Sequence, residues 1–179
     1  IPACLKTGYM RLLGETDAGV AVALVLTSHW QPHLYDLEEY VKFLAYFHHH
    51  MSRNFERWAL LSDLSGWRFG HATHLRKIKA GCDMLQNHYP ERLAASVTMN
   101  APWIFNATWE VMTPWLDPRT VANIAFASGD DQIRAALGAA RIPLAIVPSD
   151  YGGEGAPVSE RPVPNFPGEA DVEVPEPLS

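Results

Sequence analysis

The chain holds 179 residues, 47% of them hydrophobic, with 14 Lys and Arg against 20 Asp and Glu for a formal net charge of −6. That length makes one domain, or one domain and a tail. The acidic balance excludes a nucleic-acid partner and excludes docking on anionic lipid by charge alone.

Cys4 and Cys82 hold no metal-ligand spacing and read as reduced thiols of a cytosolic protein. No run is apolar for long enough to cross a bilayer, and no signal peptide is visible. The first residue is Ile rather than Met, which reads as a piece of a longer protein with domains once flanking it. Six Trp, seven Phe and six Tyr are more large aromatic surface than a small fold usually needs, and point to a well-filled core or to an apolar cavity.

Residues 8–26 read as a β-hairpin. A strand at 9–13 meets one at 20–26 through Gly14-Glu-Thr-Asp-Ala-Gly19, whose two glycines supply positive φ. The second strand is a continuous apolar run, as expected of a strand covered on both faces. Asp36-Leu-Glu-Glu39 is a capping box. It opens a helix with Leu37, Tyr40, Val41, Leu44 and Phe47 at helical spacing. His48-His-His50 falls near its end. Adjacent helical residues point about 100° apart, so three in a row do not share one metal. They read as a solvated helix end whose positive charge suits the dipole.

Residues 58–64 form the next strand, closed by Ser65-Gly66. Asp63, at its C-terminal end, is either a functional group, where α/β folds place them, or the cap of the following turn. Residues 71–87 read as a helix with Leu75, Ile78, Cys82 and Leu85 on one face. Arg76, Lys77 and Lys79 fall on a solvated face, with weak headgroup contact as the alternative. His71 and His74 lack a third and fourth ligand, so no metal site is expected.

Strand 93–99 is broken by Asn100-Ala-Pro102. Over 103–116 a dense apolar segment carries a single charge, Glu110. It is too greasy for a surface helix, and too short and interrupted by Pro114 to span a bilayer. Asp117 then N-caps a short helix with Pro118 at its first position. A buried strand at 124–127 follows, then a helix from Asp130 or Asp131. Ile142-Pro143 and 145–148 finish the domain, and Tyr151-Gly-Gly153 turns the chain away. From 154 to 179 the chain is Pro-rich and acidic and reads as an extended or disordered tail, either free or lying against the domain. The alternation of elements makes an α/β fold: a mixed, largely parallel β-sheet floor covered by helices.

The chain has no G-x-S-x-G elbow, phosphate-binding loop, dinucleotide fingerprint or H-E-x-x-H, so the residues point away from an enzyme. Abundant apolar groups with few, scattered polar ones fit a cavity that buries an apolar ligand.

Tyr89-Pro-Glu-Arg-Leu93, Met99-Asn-Ala-Pro-Trp-Ile-Phe105 and Pro114-Trp-Leu-Asp-Pro118 resemble the centre of a CRAL-TRIO domain. This is the lipid-binding fold of phosphatidylinositol, tocopherol and retinaldehyde transfer proteins. Asp63-Leu-Ser-Gly66, Ile142-Pro143 and Tyr151-Gly-Gly153 resemble further landmarks of that family, in order, over roughly residues 8–153. The resemblance implies a non-enzymatic carrier in residues 1–153 that takes one hydrophobic lipid and no other cofactor. It implies a cytoplasmic protein that touches membranes transiently through a mobile gate helix over an apolar pocket. The gate would be Trp103, Phe105, Trp109, Met112, Trp115 and Leu116, over a floor of Leu60, Leu61, Val97 and Met99.

In the phosphatidylinositol branch the Glu of P-E-R and a later Lys help bind the headgroup. Glu91 matches the first, or simply pairs with Arg92 or Arg119. Asn123 stands at the second and lacks the ammonium. Trp58 and Leu60 replace the hydroxyls that hold a choline headgroup. These departures favour a more apolar ligand, or a phospholipid held differently. The competing reading is a regulatory protein-interaction module with a vestigial pocket.

Overall fold

The computed structural model describes residues 2–162; the remainder of the expected tail lies outside the described residues. Five strands form one sheet in the order β1-β2-β3-β4-β5: Met10–Glu15, Val20–Leu26, Arg57–Asp63, Leu93–Met99 and Ile124–Ala127. The first pair is the expected hairpin and is antiparallel; every other pairing is parallel. Sequentially adjacent parallel strands joined by crossovers of one hand carry their helices on one face. That face holds α1 (Pro2–Lys6), α2 (Leu37–Asn54), the short α3 (Phe69–Ala72), α4 (Leu75–Asp83) and α5 (Phe105–Met112). α6 (Pro118–Ala122) leads into β5, and α7 (Asp130–Ala139) covers the other face.

Two cores result, one on each side of the sheet. The first gathers Leu60, Ala21 and Ala23 of the sheet with Tyr40, Phe43, Leu44, Phe47 and Met51 of α2. The second gathers Val22, Leu24, Leu61, Val97 and Met99 with Ile133 and Leu137 of α7. Asp36 caps α2 as its sequence signature requires, its Oδ1 accepting from the Glu39 amide at 2.8 Å.

Two expectations change. The helix read over 71–87 is broken: α3 and α4 are separate, and the end of α4 widens into a π-turn at Met84–His88. Lys77 is not on a solvated face. It is only 9% exposed, and its ammonium donates to the carbonyls of Pro32 (2.8 Å) and Tyr35 (2.6 Å) while lying over the Tyr35 ring. It thereby fastens the turn that leads into α2 onto α4. Arg76 and Lys79 are exposed as expected, Lys79 pairing with Asp83 one turn on.

Residues 154–162 return to the domain, the alternative left open for the start of the tail. The Gly155 amide donates to the Val147 carbonyl, and the Arg161 guanidinium donates to the carbonyls of Ala156 and Ile146. Buried Arg11 of β1 donates in turn to the carbonyls of Gly8, Val158 and Arg161. Gly14 of the same edge strand lies against Ile146, which stands 3.3 Å from where a Cβ would be.

Candidate lipid cavity and its cover

A cavity of about 220 Å³ lies between the helical layer and the sheet. Its floor is alternate residues of three neighbouring strands: Leu60 and Ser62 on β3, Ser96 and Thr98 on β4, Ile124 and Phe126 on β5. One wall is Tyr40, Leu44 and His48 of α2, and a second is Ile78, Cys82 and Leu85. The cover is Phe105, Trp109 and Met112 of α5, with Leu116 beyond it. Among the described residues, no Asp, Glu, Lys or Arg lines it.

Of the four residues expected on the floor, one lies there. Leu60 lies on the cavity, but Leu61, Val97 and Met99 face α7 in the opposite core. Successive residues of a strand point to opposite faces, so Leu60 and Leu61 cannot share one. The register sets Leu60 beside Ser96 and Leu61 beside Val97, so the true floor of β4 is Ser96 and Thr98.

The cover forms because β4 ends in a sharp turn. Asn100 sits at φ +53, a left-handed conformation that Asn tolerates, and its Oδ1 accepts from the Gly129 amide. The chain then folds back as α5 over the floor. Phe105 is buried and Trp109 is partly so, packing edge-on against Phe126 at 5.0 Å. Trp103, by contrast, is 79% exposed and Trp115 is half-buried, and neither lies on the cavity wall. The far end of the cover is fastened by one side chain. The Gln86 amide donates to the Trp115 carbonyl and accepts from the Asp117 amide, tying the π-turn to the residues after α5.

The polar candidates lie elsewhere. Asp63 caps the turn after β3, Oδ1 accepting from the Ser65 amide, and Oδ2 accepts from the Tyr151 hydroxyl at 2.8 Å. It therefore locks the D-L-S-G turn to Tyr151-Gly-Gly153. Glu91 stands in an exposed turn at φ +60, 3.9 Å from Arg119. An exposed pair at that distance contributes little. Asn123 caps the end of α6, is exposed, and accepts the Ser96 amide on its carbonyl. Cys4 and Cys82 are both free and buried, and burial pushes the Cys82 thiol up to about 11.

His48 is the residue that the sequence reading misplaced. It is 2% exposed and lines the cavity rather than ending a solvated helix. The missed signal is its spacing, since Tyr40, Leu44 and His48 follow one another at i, i+4 on the buried stripe. Its ring stacks on Tyr89 and meets Trp58 edge-on. Burial lowers its pKa from 6.5 to about 4, opposed by the bond from Nδ1 to the Leu44 carbonyl.

The unfolded chain takes this proton near pH 6.5 and the folded chain only near 4. Stability therefore falls as pH drops through that window and is flat below it. Between pH 7 and 4.5 the wild type should lose about 2 kcal/mol more than His48→Phe, read as the difference in urea unfolding free energies. Equal losses in the two proteins would remove His48 as the cause.

The model of the CRAL/TRIO domain matches residues 5–153. The phosphatidylinositol transfer protein CSR1 of Eremothecium gossypii is 34% identical over 85 residues, covering 48% of this chain and 19% of the relative. The human alpha-tocopherol transfer protein-like protein is 26% identical over 156 residues, covering 83% of this chain and 44% of the relative. The chain thus spans less than half the length of these relatives. Among solved structures, that of Sfh5 superposes with a TM-score of 0.66 at 17% identity, covering 90% of this chain and 60% of the other. Among the described residues, no helix is long and apolar enough to cross a membrane, and no group of three or more His, Cys, Asp or Glu is placed to hold a metal ion.

Proposed function

The chain belongs to the CRAL/TRIO domain family, and from that premise we propose that it binds one hydrophobic lipid in the cavity under α5 and carries or presents it between membranes in the cytoplasm. The observation that carries this reading is the cavity itself: largely apolar, lined among the described residues by no Asp, Glu, Lys or Arg, and closed by a segment that packs on it through Phe105, Trp109 and Met112. Burial of an acyl or prenyl chain there gains about 0.8 kcal/mol per CH₂. The role is that of a carrier, with no bond made or broken. Relatives named for phosphatidylinositol and tocopherol transfer support the same class of activity.

At about 220 Å³ the cavity is below the roughly 300–1,000 Å³ of pockets that enclose drug-sized ligands, so a long chain enters when the cover moves outward. The Gln86 clasp at Trp115 and Asp117 is the polar fastening such a movement breaks. Once open, Trp103, already exposed, and Trp109 suit a membrane interface.

The test is transfer of labelled lipid between donor and acceptor vesicles. Replacing both Trp109 and Met112 by Asp should slow exchange by about tenfold or more, since two carboxylates on the inner side of the cover would have to be buried on closure. The fold should be retained, as judged by circular dichroism. Unchanged exchange would sink the gate. A protein from which organic extraction recovers no lipid, and which takes none from vesicles, would leave the regulatory-module reading.

A further inference from the structure

On the cavity wall His48 carries one buried acceptor that nothing among the described residues satisfies. His48 Nδ1 lies 2.8 Å from the Leu44 carbonyl. A carbonyl only accepts, so Nδ1 carries the proton and Nε2 presents a lone pair. Nε2 is buried and has no hydrogen-bond partner. Ser96 and Cys82 line the same cavity, yet neither satisfies it. The ring is not free to turn away, because it is stacked on Tyr89 at 5.3 Å and flanked edge-on by Phe47 and Trp58. A fixed, buried acceptor on the wall of a cavity is unfavourable until a donor reaches it.

The kind of donor follows from what surrounds it. With no Asp, Glu, Lys or Arg on the cavity wall, an ammonium, phosphate or carboxylate would be buried without a counter-charge. A hydroxyl brings a proton and no charge. Resting on the lipid-carrier reading above, we infer that His48 Nε2 accepts a hydrogen bond from the hydroxyl of an uncharged lipid alcohol or phenol held in the cavity, and that this bond selects such lipids over hydroxyl-free ones of equal length. The ligand's chain lies on the floor of Leu60 and Ile124, and its hydroxyl sits at the α2 wall.

Two probes of matched shape test this: tritiated 1-octadecanol and 1-methoxyoctadecane, each supplied to the full chain from phosphatidylcholine vesicles. The wild type should take up the alcohol about tenfold better than the ether, the factor that one hydrogen bond supports. In His48→Phe the ratio of alcohol to ether uptake should fall to about one. His48→Gln, which restores an acceptor, should recover part of the preference.

A readout on the unmodified protein stands beside these. The ¹⁵N resonance of His48 Nε2 should move upfield on loading the alcohol and not on loading the ether, which keeps the test intact should the Phe variant fail to fold. Equal uptake of both probes by the wild type overturns the His48 assignment and leaves the carrier intact. A preference that survives in a folded His48→Phe does the same. Uptake of neither probe overturns the His48 assignment, and the carrier reading falls with it only where organic extraction also recovers no lipid from the protein.

Discussion

Replacing Gly153 by Ala should lower the unfolding free energy by about 3 kcal/mol, which in a chain of this size is a fall in melting temperature of roughly 6–12 °C. A Cβ at Gly153 would stand 2.1 Å from the Val147 carbonyl oxygen and 2.6 Å from its carbon. These are backbone atoms, and the oxygen is already engaged by the Gly155 amide at 2.8 Å. No rotamer relieves the contact; the turn has to open. The control is Gly138 in α7, where a Cβ meets nothing within 4 Å and Ala should be neutral or stabilising by up to about 1 kcal/mol. If Gly153→Ala melts with the wild type, close packing is not why the Tyr151-Gly-Gly153 turn needs a glycine there.

Lys77→Met should cost a similar amount, about 3 kcal/mol. The methionine keeps most of the apolar stem, so the loss isolates the ammonium. Two buried carbonyls, those of Pro32 and Tyr35, are left without a donor, and bonds from a charged donor contribute about 1.5–3 kcal/mol each. The measurement is the urea midpoint, with an unchanged slope showing that the unfolded state has not altered. A loss below about 1 kcal/mol would mean that water replaces the ammonium. Because Lys77 fastens the turn before α2, the same variant should loosen the wall that carries Tyr40, Leu44 and His48.

Both sites show where a single sequence stops being readable. The element order, the capped start of α2, the Asn100 turn and the greasy cover were legible because each is dictated by near neighbours along the chain. The two faces of the sheet were not. Leu61, Val97 and Met99 are as apolar as Leu60, and only the pairing of Leu60 with Ser96 decides which of them see the cavity. Continuous apolar strands erase the alternation that would have told the faces apart. Lys77 looked solvated because its partners lie 42 and 45 positions away.

His48 is a different case. Its place on the stripe was readable, but two further histidines beside it suggested an exposed helix end. Asp63 and Glu91 drew notice through their motifs, and both stand outside the cavity: one locks two turns together, the other meets solvent. The residues on the floor that carry hydroxyls, Ser62, Ser96 and Thr98, carried no motif at all.

The return of 154–162 bears on how this protein should be trimmed. The family match ends at Gly153, and a chain cut there would look complete. It would strip buried Arg11 of two of the three carbonyls its guanidinium donates to, and would take the Arg161 guanidinium from the Ile146 carbonyl. A shortened version should therefore unfold at a lower urea midpoint, and that loss would say nothing about the cavity on the other side of the sheet.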